Sequence, residues 1–492
     1  MSPNTRARRF AALACSASLT VLVGACATVG PNFAQPNAPK SAGYAAEGEA
    51  MPAEARLDAA SAASGPWWTA LGSPALDATI RQALADNPTL AEADATLRQS
   101  QSALAQARGV AGPQVDATAG ANRERANLQA FGFTSFGDVT LSNPTFSLYS
   151  VGGSVGYDLD LFGGNRRRIE SAAAHVEAQS RRADAAYLTL TANVALQALT
   201  IATLNAQIGA VNQMITADQA NIDLVRKANA LGGSTATARV SAQSQLEEDR
   251  ALLPSLQGQL AAARHALAQL VGRAPADWSA PDFTLADLTL TAPVPLSLPS
   301  DLVRKRPDIL AAEADLHAAT AEIGVATADL YPNIKLTAAL TQGTLKPQDI
   351  FSYDATAWNV GAGLTAPIFD GGALKARRQQ AREAATASSA RYQQTVLVAF
   401  VQVADALSAL SSDDEAIAAY GRSSAHADES LRLARVAYDK GGGTLLEILD
   451  AQRRVHEIQV SQVRAQGQRL ADAVRLFAAS GADWRRSTSS RV

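Results

Sequence analysis

No proline interrupts the chain between Pro144 and Pro254, and none follows Pro367. Proline removes a backbone donor and clashes with the preceding turn, so long proline-free stretches rich in alanine and leucine are open to continuous helix. In the first window Tyr187, Val194, Ile201, Ile208, Ile215 and Ile222 recur at heptad spacing, and a second row reads Leu190, Gln197, Leu204, Val211, Asp218 and Val225. Together they make an a/d seam with two polar interruptions. The second window repeats the device with Val396, Val403, Leu410, Ile417, Leu431 and Tyr438, Ser424 filling the gap. A helix over roughly 165–230 would be about 100 Å long at ~1.5 Å per residue, a rod that no globular domain needs.

Glycines mark where each rod turns back. Gly232-Gly233 and Gly441-Gly442-Gly443 supply the permissive backbone of a tight turn between antiparallel helices. The return helices are expected over about 235–271 and 444–479, with a kink at Pro254.

The two rods belong to a larger internal repeat. "NPTLAEADATL" from Asn87 faces "RPDILAAEADL" from Arg306, and Pro113 and Pro332 follow Pro88 and Pro307 at the same spacing. Farther on, "VGYDLDLFGG" faces "VGAGLTAPIFDGG", "LGGST" faces "KGGGT", and Asp277-Trp278 faces Asp483-Trp484. A period of some two hundred residues is far too long for a solenoid and reads as a duplicated half. Each half is expected to run helix, two strands, two long helices. The first helix, about 75–108, opens at Ser73-Pro74, an N-cap followed by proline at the first helical position, and stops before Gly109.

The strands show themselves by alternation. Over 149–161, Tyr149, Val151, Val155, Tyr157, Leu159 and Leu161 share a face, while Ser150, Gly152, Ser154, Gly156, Asp158 and Asp160 share the other. Its partner is expected near 115–124. In the second half Ile334, Leu336, Ala338 and Leu340 alternate with Lys335 and Thr337, and Trp358, Val360, Ala362, Leu364 and Ile368 alternate with Asn359, Gly361, Gly363 and Thr365. An apolar face opposite a small, polar one over about ten residues suits a membrane barrel and also a half-exposed soluble sheet. Four strands cannot close a membrane barrel, because an open edge in lipid leaves backbone groups unsatisfied. Two copies would reach eight strands and three would reach twelve.

The remaining composition excludes more than it assigns. With 43 basic and 46 acidic residues, a net charge of -3 and no basic block in the body, nothing favours nucleic acid as a partner. Both cysteines, Cys15 and Cys26, lie near the N-terminus, so the body carries no thiolate site. Arg6, Arg8 and Arg9 followed by an apolar run from Phe10 to Ala25 read as a signal peptide. Gly152-Gly153-Ser154-Val155-Gly156 spells a nucleophile elbow but falls inside an alternating strand, where the required strand-to-helix turn has no place. His175, His265, His317, His426 and His456 lack metal-ligand spacing and read as solvated helix positions. Phe131, Phe133 and Phe136 in one strand connection, and Phe351 and Tyr353 in the other, are expected at or outside a membrane surface or packed between loops. No enzymatic cluster and no cofactor site emerges.

Leu22 to Cys26 resembles a bacterial lipobox, implying cleavage before Cys26 and its acylation, and Ala27, not Asp, implies transfer to the outer membrane. "CATVGPNFAQP", "WWTALGSPALDATIRQALADNPTLAEAD", "LFGGNRRR", "RPDILAAEADL", "PIFDGG" and "LLEILDAQRRV" together resemble the outer membrane factors of tripartite efflux systems, in the NodT/OprM-like lipoprotein branch that serves resistance-nodulation-division pumps. The resemblance implies an α+β membrane protein: a trimeric outer-membrane β-barrel with four strands per chain, continued by a long periplasmic coiled-coil barrel. It implies a signal peptide at 1–25, a lipidated extended segment at 26–74, a first repeat at 75–280, a linker at 281–299, a second repeat at 300–484 and a tail at 485–492. Its implied partners are a periplasmic adaptor, an inner-membrane transporter, outer-membrane lipid and two further copies of the chain. The implied gate is Asp450 with Tyr438. Where such proteins often carry an arginine latch before the tyrosine this chain has Ala437, which turns attention to Arg226, Arg435 or Lys440. The implied adaptor contact is the helical tip with Arg226, Gly232, Gly233, Arg239, Gly441 and Gly442. The implied function is a passive exit duct for drugs or other small amphiphiles; the alternative is a duct for type I protein secretion, a branch that typically lacks lipidation.

Overall fold

A computed structural model of the chain describes residues 28–37, 43–44, 66–127, 135–136, 139–140, 143–230, 235–290 and 299–481. Cys26, Gly232, Gly233, Phe131 and Phe133, and the side chain of Phe136, lie outside the described residues. The helices are α1 (Pro74–Asp86), α2 (Pro88–Val110), α3 (Gly164–Ala230), α4 (Ala236–Val271), α5 (Pro299–Lys305), α6 (Pro307–Ala328), α7 (Ala373–Asp439) and α8 (Leu445–Ala479). The strands are β1 (Gln114–Arg125), the short pair β2 (Ser135–Phe136) and β3 (Val139–Thr140), β4 (Thr145–Asp158), β5 (Asn333–Thr344) and β6 (Thr356–Thr365). The duplication is visible in this order, and α3 and α7 each contain 67 residues.

One expected helix is two. The chain breaks between α1 and α2 at Asn87, whose backbone is extended (φ -72, ψ 123), because Pro88 disfavours helical geometry in the residue before it. Asn87 serves both sides of the break. Its N–H donates to the Ala83 carbonyl at 2.9 Å, closing α1, and its Oδ1 accepts from the Thr89 N–H at 2.8 Å, opening α2. The second half breaks likewise between α5 and α6, at Arg306 before Pro307. At the start of α1, Ser73 caps as the sequence suggests, its Oγ accepting from the Leu76 N–H. Pro254 lies inside α4, which continues through it.

The chain divides into two compact units. One gathers the N-terminal segment to Gln35, Arg98–Ala178 and Glu313–Ala390, and holds the main sheet. Its strands pair antiparallel in the order β1-β4-β5-β6, so β1 and β6 are the two edges.

The other unit gathers Pro36–Leu97, Gln179–Ala312 and the chain from Arg391 onward. Its largest core joins Trp67, Trp68, Leu71, Leu76 and Ile80 to Val194, Leu199, Ile201, Leu267, Phe283 and Phe477. Trp67 stacks on Phe477 at 5.6 Å and donates through Nε1 to Thr191 Oγ1 at 3.2 Å, so its one polar atom is satisfied inside the core. A second core packs Leu302 and Ile309 against Tyr392, Val396, Val403, Leu407 and Leu476. The heptad positions of both long helices fall among the buried or half-buried residues, which is what the seam requires.

Candidate functional site

In the sheet-bearing unit, register gathers like with like. Cross-strand partners share a face, so Val115, Val155, Ala338 and Val360 form one apolar row, and Ala117, Gly153, Leu340 and Trp358 the next. The opposite face carries Asp116, Ser154, Ala339 and Asn359, then Thr118, Gly152, Thr341 and Ala357. Both faces of the sheet are open in the single chain, and the apolar rows are exposed with the rest: Trp358 is 74% and Val360 75% exposed. An exposed apolar band on a sheet whose other face is polar is a surface made for lipid. Thr365 and Leu364 keep their expected opposite faces, whereas Leu159, Leu161 and Ile368 lie beyond the strand ends. Phe351 and Tyr353, in the connection between β5 and β6, are exposed. Ser154 sits within β4 with ladder partners on both sides, so the nucleophile-elbow spelling is strand.

The motifs "DLFGG" and "FDGG" turn out to be strand-to-helix turns with a carboxylate cap, a role the sequence reading missed. Asp160, in a left-handed conformation (φ 45), accepts from the N–H groups of Asn165 at 2.8 Å and Arg166 at 3.0 Å. Asp370 does the same for α7, accepting from Gly372 at 2.9 Å and Leu374 at 2.7 Å, and those backbone donors, Leu374 first, hold its carboxyl below the usual range. The usable signal is an acidic residue one to three positions before a glycine pair at a helix start.

A second missed feature is a clasp on the N-terminal segment. Arg167 donates to the carbonyls of Val29 (3.2 Å) and Gly30 (3.3 Å) and to Asn32 Oδ1 (2.7 Å), while pairing with Glu170 at 2.7 Å. Phe33 stacks on His317 at 4.5 Å, and His317 Nε2 lies 3.1 Å from Glu170 Oε1. His317 is therefore a half-buried packing partner and not the solvated residue expected. Burial pushes the Glu170 carboxyl up, but Arg167 and His317 outweigh it and leave it below its ordinary value.

In the helical unit, the α7–α8 tip is closed by backbone bonds. The Ala437 carbonyl accepts from Gly442 at 2.9 Å and Gly443 at 3.1 Å, and Gly441 adopts a left-handed backbone (φ 75). Thr444 and Glu447 then form a capping box that starts α8. Tyr438 is half-buried against the cluster of Ile222, Val225, Leu445 and Ile448. Asp450 instead points to solvent, its side chain 65% exposed, with Arg453 at 4.0 Å. Arg226 pairs with Asp223 on its own helix at 3.6 Å, and Arg239 is exposed in the first turn of α4. Among the described residues no ion pair joins Asp450 to Arg226, Arg435 or Lys440; its partner is Arg453 on the same helix. No group of three or more potential metal ligands occurs among the described residues.

The sequence model of the outer membrane efflux protein family matches residues 79–273 and 298–482, one segment in each half. This chain belongs to the outer membrane efflux protein family. It is 30% identical over 464 residues to the pyoverdine export outer membrane protein OpmQ of Pseudomonas aeruginosa, covering 94% of this chain and 96% of that one. It is 28% identical over 451 residues to nodulation protein T of Rhizobium leguminosarum bv. trifolii, covering 91% and 92%. The open-state MtrE outer membrane channel of Neisseria gonorrhoeae matches with a TM-score of 0.82 at 27% identity, covering 94% of this chain and 100% of that one. As a member of this family the chain is an outer membrane protein with the α+β channel fold: barrel strands and long helices, written in two repeats.

Proposed function

We propose that this chain is the exit duct of a tripartite efflux assembly, passively conducting drugs or other small amphiphiles. A periplasmic adaptor and an inner-membrane transporter of the resistance-nodulation-division class supply the cargo and the energy. The observation that carries this reading is the sheet register: four strands, one apolar face, one small polar face, and two edges, β1 and β6, that pair with no further strand among the described residues. Such a sheet has to complete its ladder with further copies, and three copies give a twelve-stranded barrel wide enough for a wet interior. Acylation of Cys26 adds a lipid anchor. Asp450 from each copy, held near the closed α7–α8 turn, forms an acidic constriction that selects for cations and repels itself when ionised. The tip around Arg226, Arg239 and Gly441-Gly442 receives the adaptor.

The reading is tested by measuring accumulation of a panel of fluorescent amphiphiles in cells with and without this chain, alongside its own pump and adaptor. Accumulation that rises on deletion and falls on restoration supports it. An unresponsive panel together with a protein missing from the medium would make the chain a secretion duct.

A further inference from the structure

The α3 seam is interrupted by two polar residues, and the fold resolves them differently. Gln197 donates through Nε2 to the Ala263 carbonyl on α4 at 2.9 Å, a satisfied bond across the hairpin. Asp218 meets Asp249 of α4, a residue only 7% exposed. Asp249 Oδ1 accepts from Gln245 Nε2 at 3.1 Å, but among the described residues neither Asp218 Oδ2 nor Asp249 Oδ2 receives a hydrogen bond. Two ionised carboxylates are acceptors only and cannot satisfy each other; one shared proton turns one of them into a donor.

Among the described residues no salt bridge reaches either carboxylate. The adjoining cluster is apolar, built from Ile215, Ile222 and Val225 of α3, Ala242 and Leu246 of α4, Leu431 and Ala434 of α7, and Leu445 and Ile448 of α8. Asp249 is the charged group that acts on Asp218. The second half supplies an internal comparison. There Asp413 of α7 meets Asp472 of α8, but Arg475 pairs with Asp472, Arg469 pairs with the neighbouring Asp414, and Gln468 donates to Asp472 at 2.8 Å.

We propose that Asp218 and Asp249 form a proton-binding site that joins α3 to α4, holding one shared proton in acid and loosening the hairpin when that proton is lost. Burial first, then the hydrogen bond and charge of Asp249, push the Asp218 carboxyl up to about 7. Burial, again followed by the partner carboxylate, pushes Asp413 up only to about 6, with Arg469 opposing. An acid raised in the folded state from 3.8 contributes stability that is fully present below that value and is lost as pH rises through about 7. The tightness of the α3–α4 hairpin is therefore greatest in acid and least in alkali.

The test uses the full-length oligomer in detergent. Infrared titration of the wild type should lose a protonated-carboxyl band near neutral pH that is missing in D218N and titrates at lower pH in D249N, where burial acts on Asp218 without its partner carboxylate. Amide exchange in the hairpin around positions 218 and 249, corrected for its intrinsic pH dependence, should speed up about tenfold between roughly pH 6 and 8 in the wild type and stay level in D218N. Asparagine keeps the shape and a donor, and D249N provides an independent variant should one of them fold poorly. If both variants retain the wild-type band and the wild-type exchange profile, the site does not exist.

Discussion

Arg306 donates through Nη1 to the carbonyl oxygen of Ala479 at 3.0 Å, tying the residue before α6 to the last residue of α8. The same guanidinium grips both carboxylate oxygens of Asp308, at 3.0 and 2.7 Å, and donates to Gln402 Oε1 at 2.8 Å. A helix end leaves its last carbonyls without partners, and here a side chain from the other end of the second repeat supplies one. Arg306→Ala should leave the buried Ala479 carbonyl without this donor, while Asp308 and Gln402 can turn to water, and should lower the stability of the folded chain by about 1–3 kcal/mol. A thermal melt in detergent reads the loss, with Arg306→Lys intermediate because an ammonium cannot reproduce the planar fork.

The two faces of β6 should respond oppositely to charge. Val360→Arg places a cation on the outward apolar row and should cost roughly 2–4 kcal/mol in bilayer insertion, whereas Asn359→Arg on the small, polar face should insert normally. Membrane fractionation and heat-resistant oligomer on gels separate the two. Equal insertion of both variants would contradict the assignment of faces.

Asp450→Ala should raise single-channel conductance or reduce cation preference in planar bilayers, since the exposed carboxylate supplies charge and not packing. Recordings identical to wild type would remove Asp450 from the gate. Arg239→Glu, at the exposed start of α4, should keep the oligomer but impair efflux.

Steric closeness on the N-terminal clasp gives a sharper prediction. A Cβ on Gly324 would meet the Arg167 side chain at 2.7 Å, and one on Gly30, whose backbone is left-handed (φ 89), would meet the Gly324 Cα at 2.5 Å. Gly324→Val should therefore dislodge Arg167 and expose residues 28–35 to added protease. Gly209→Ala, where a Cβ meets nothing within 4 Å, is the matching control and should leave the digestion pattern unchanged.

The long elements were legible because their causes are local and repeated. The proline-free heptad run places α3, and the glycine turns place α4 and α8, to within a residue or so of where they lie; the second heptad run falls inside α7, and alternation finds the four strands, β4 lying about four residues earlier than expected. Legibility failed where one residue serves two elements. The Asn87-Pro88 break was read as helix interior, although the proline that forces it was in view. The caps at Asp160 and Asp370 lie inside motifs whose likeness marks the repeat more plainly than the turn. Asp218 was recognised as a flaw in a seam, but its partner Asp249 lies on another helix and no spacing rule connects them. The resemblance implies Tyr438 and Asp450 as one gate; within one chain Tyr438 is packed in an apolar cluster and Asp450 faces solvent.

The equal span of α3 and α7, 67 residues each, constrains how such a chain can change over evolutionary time. Adding one residue to either helix turns everything beyond it by about 100° and moves it about 1.5 Å, which carries the tip out of phase with its seam. Length in this protein is a property held jointly by two distant segments of one gene. Insertions should persist at the ends of strands, where a loop absorbs them, and in the rods only as multiples that restore the heptad and are answered in the twin.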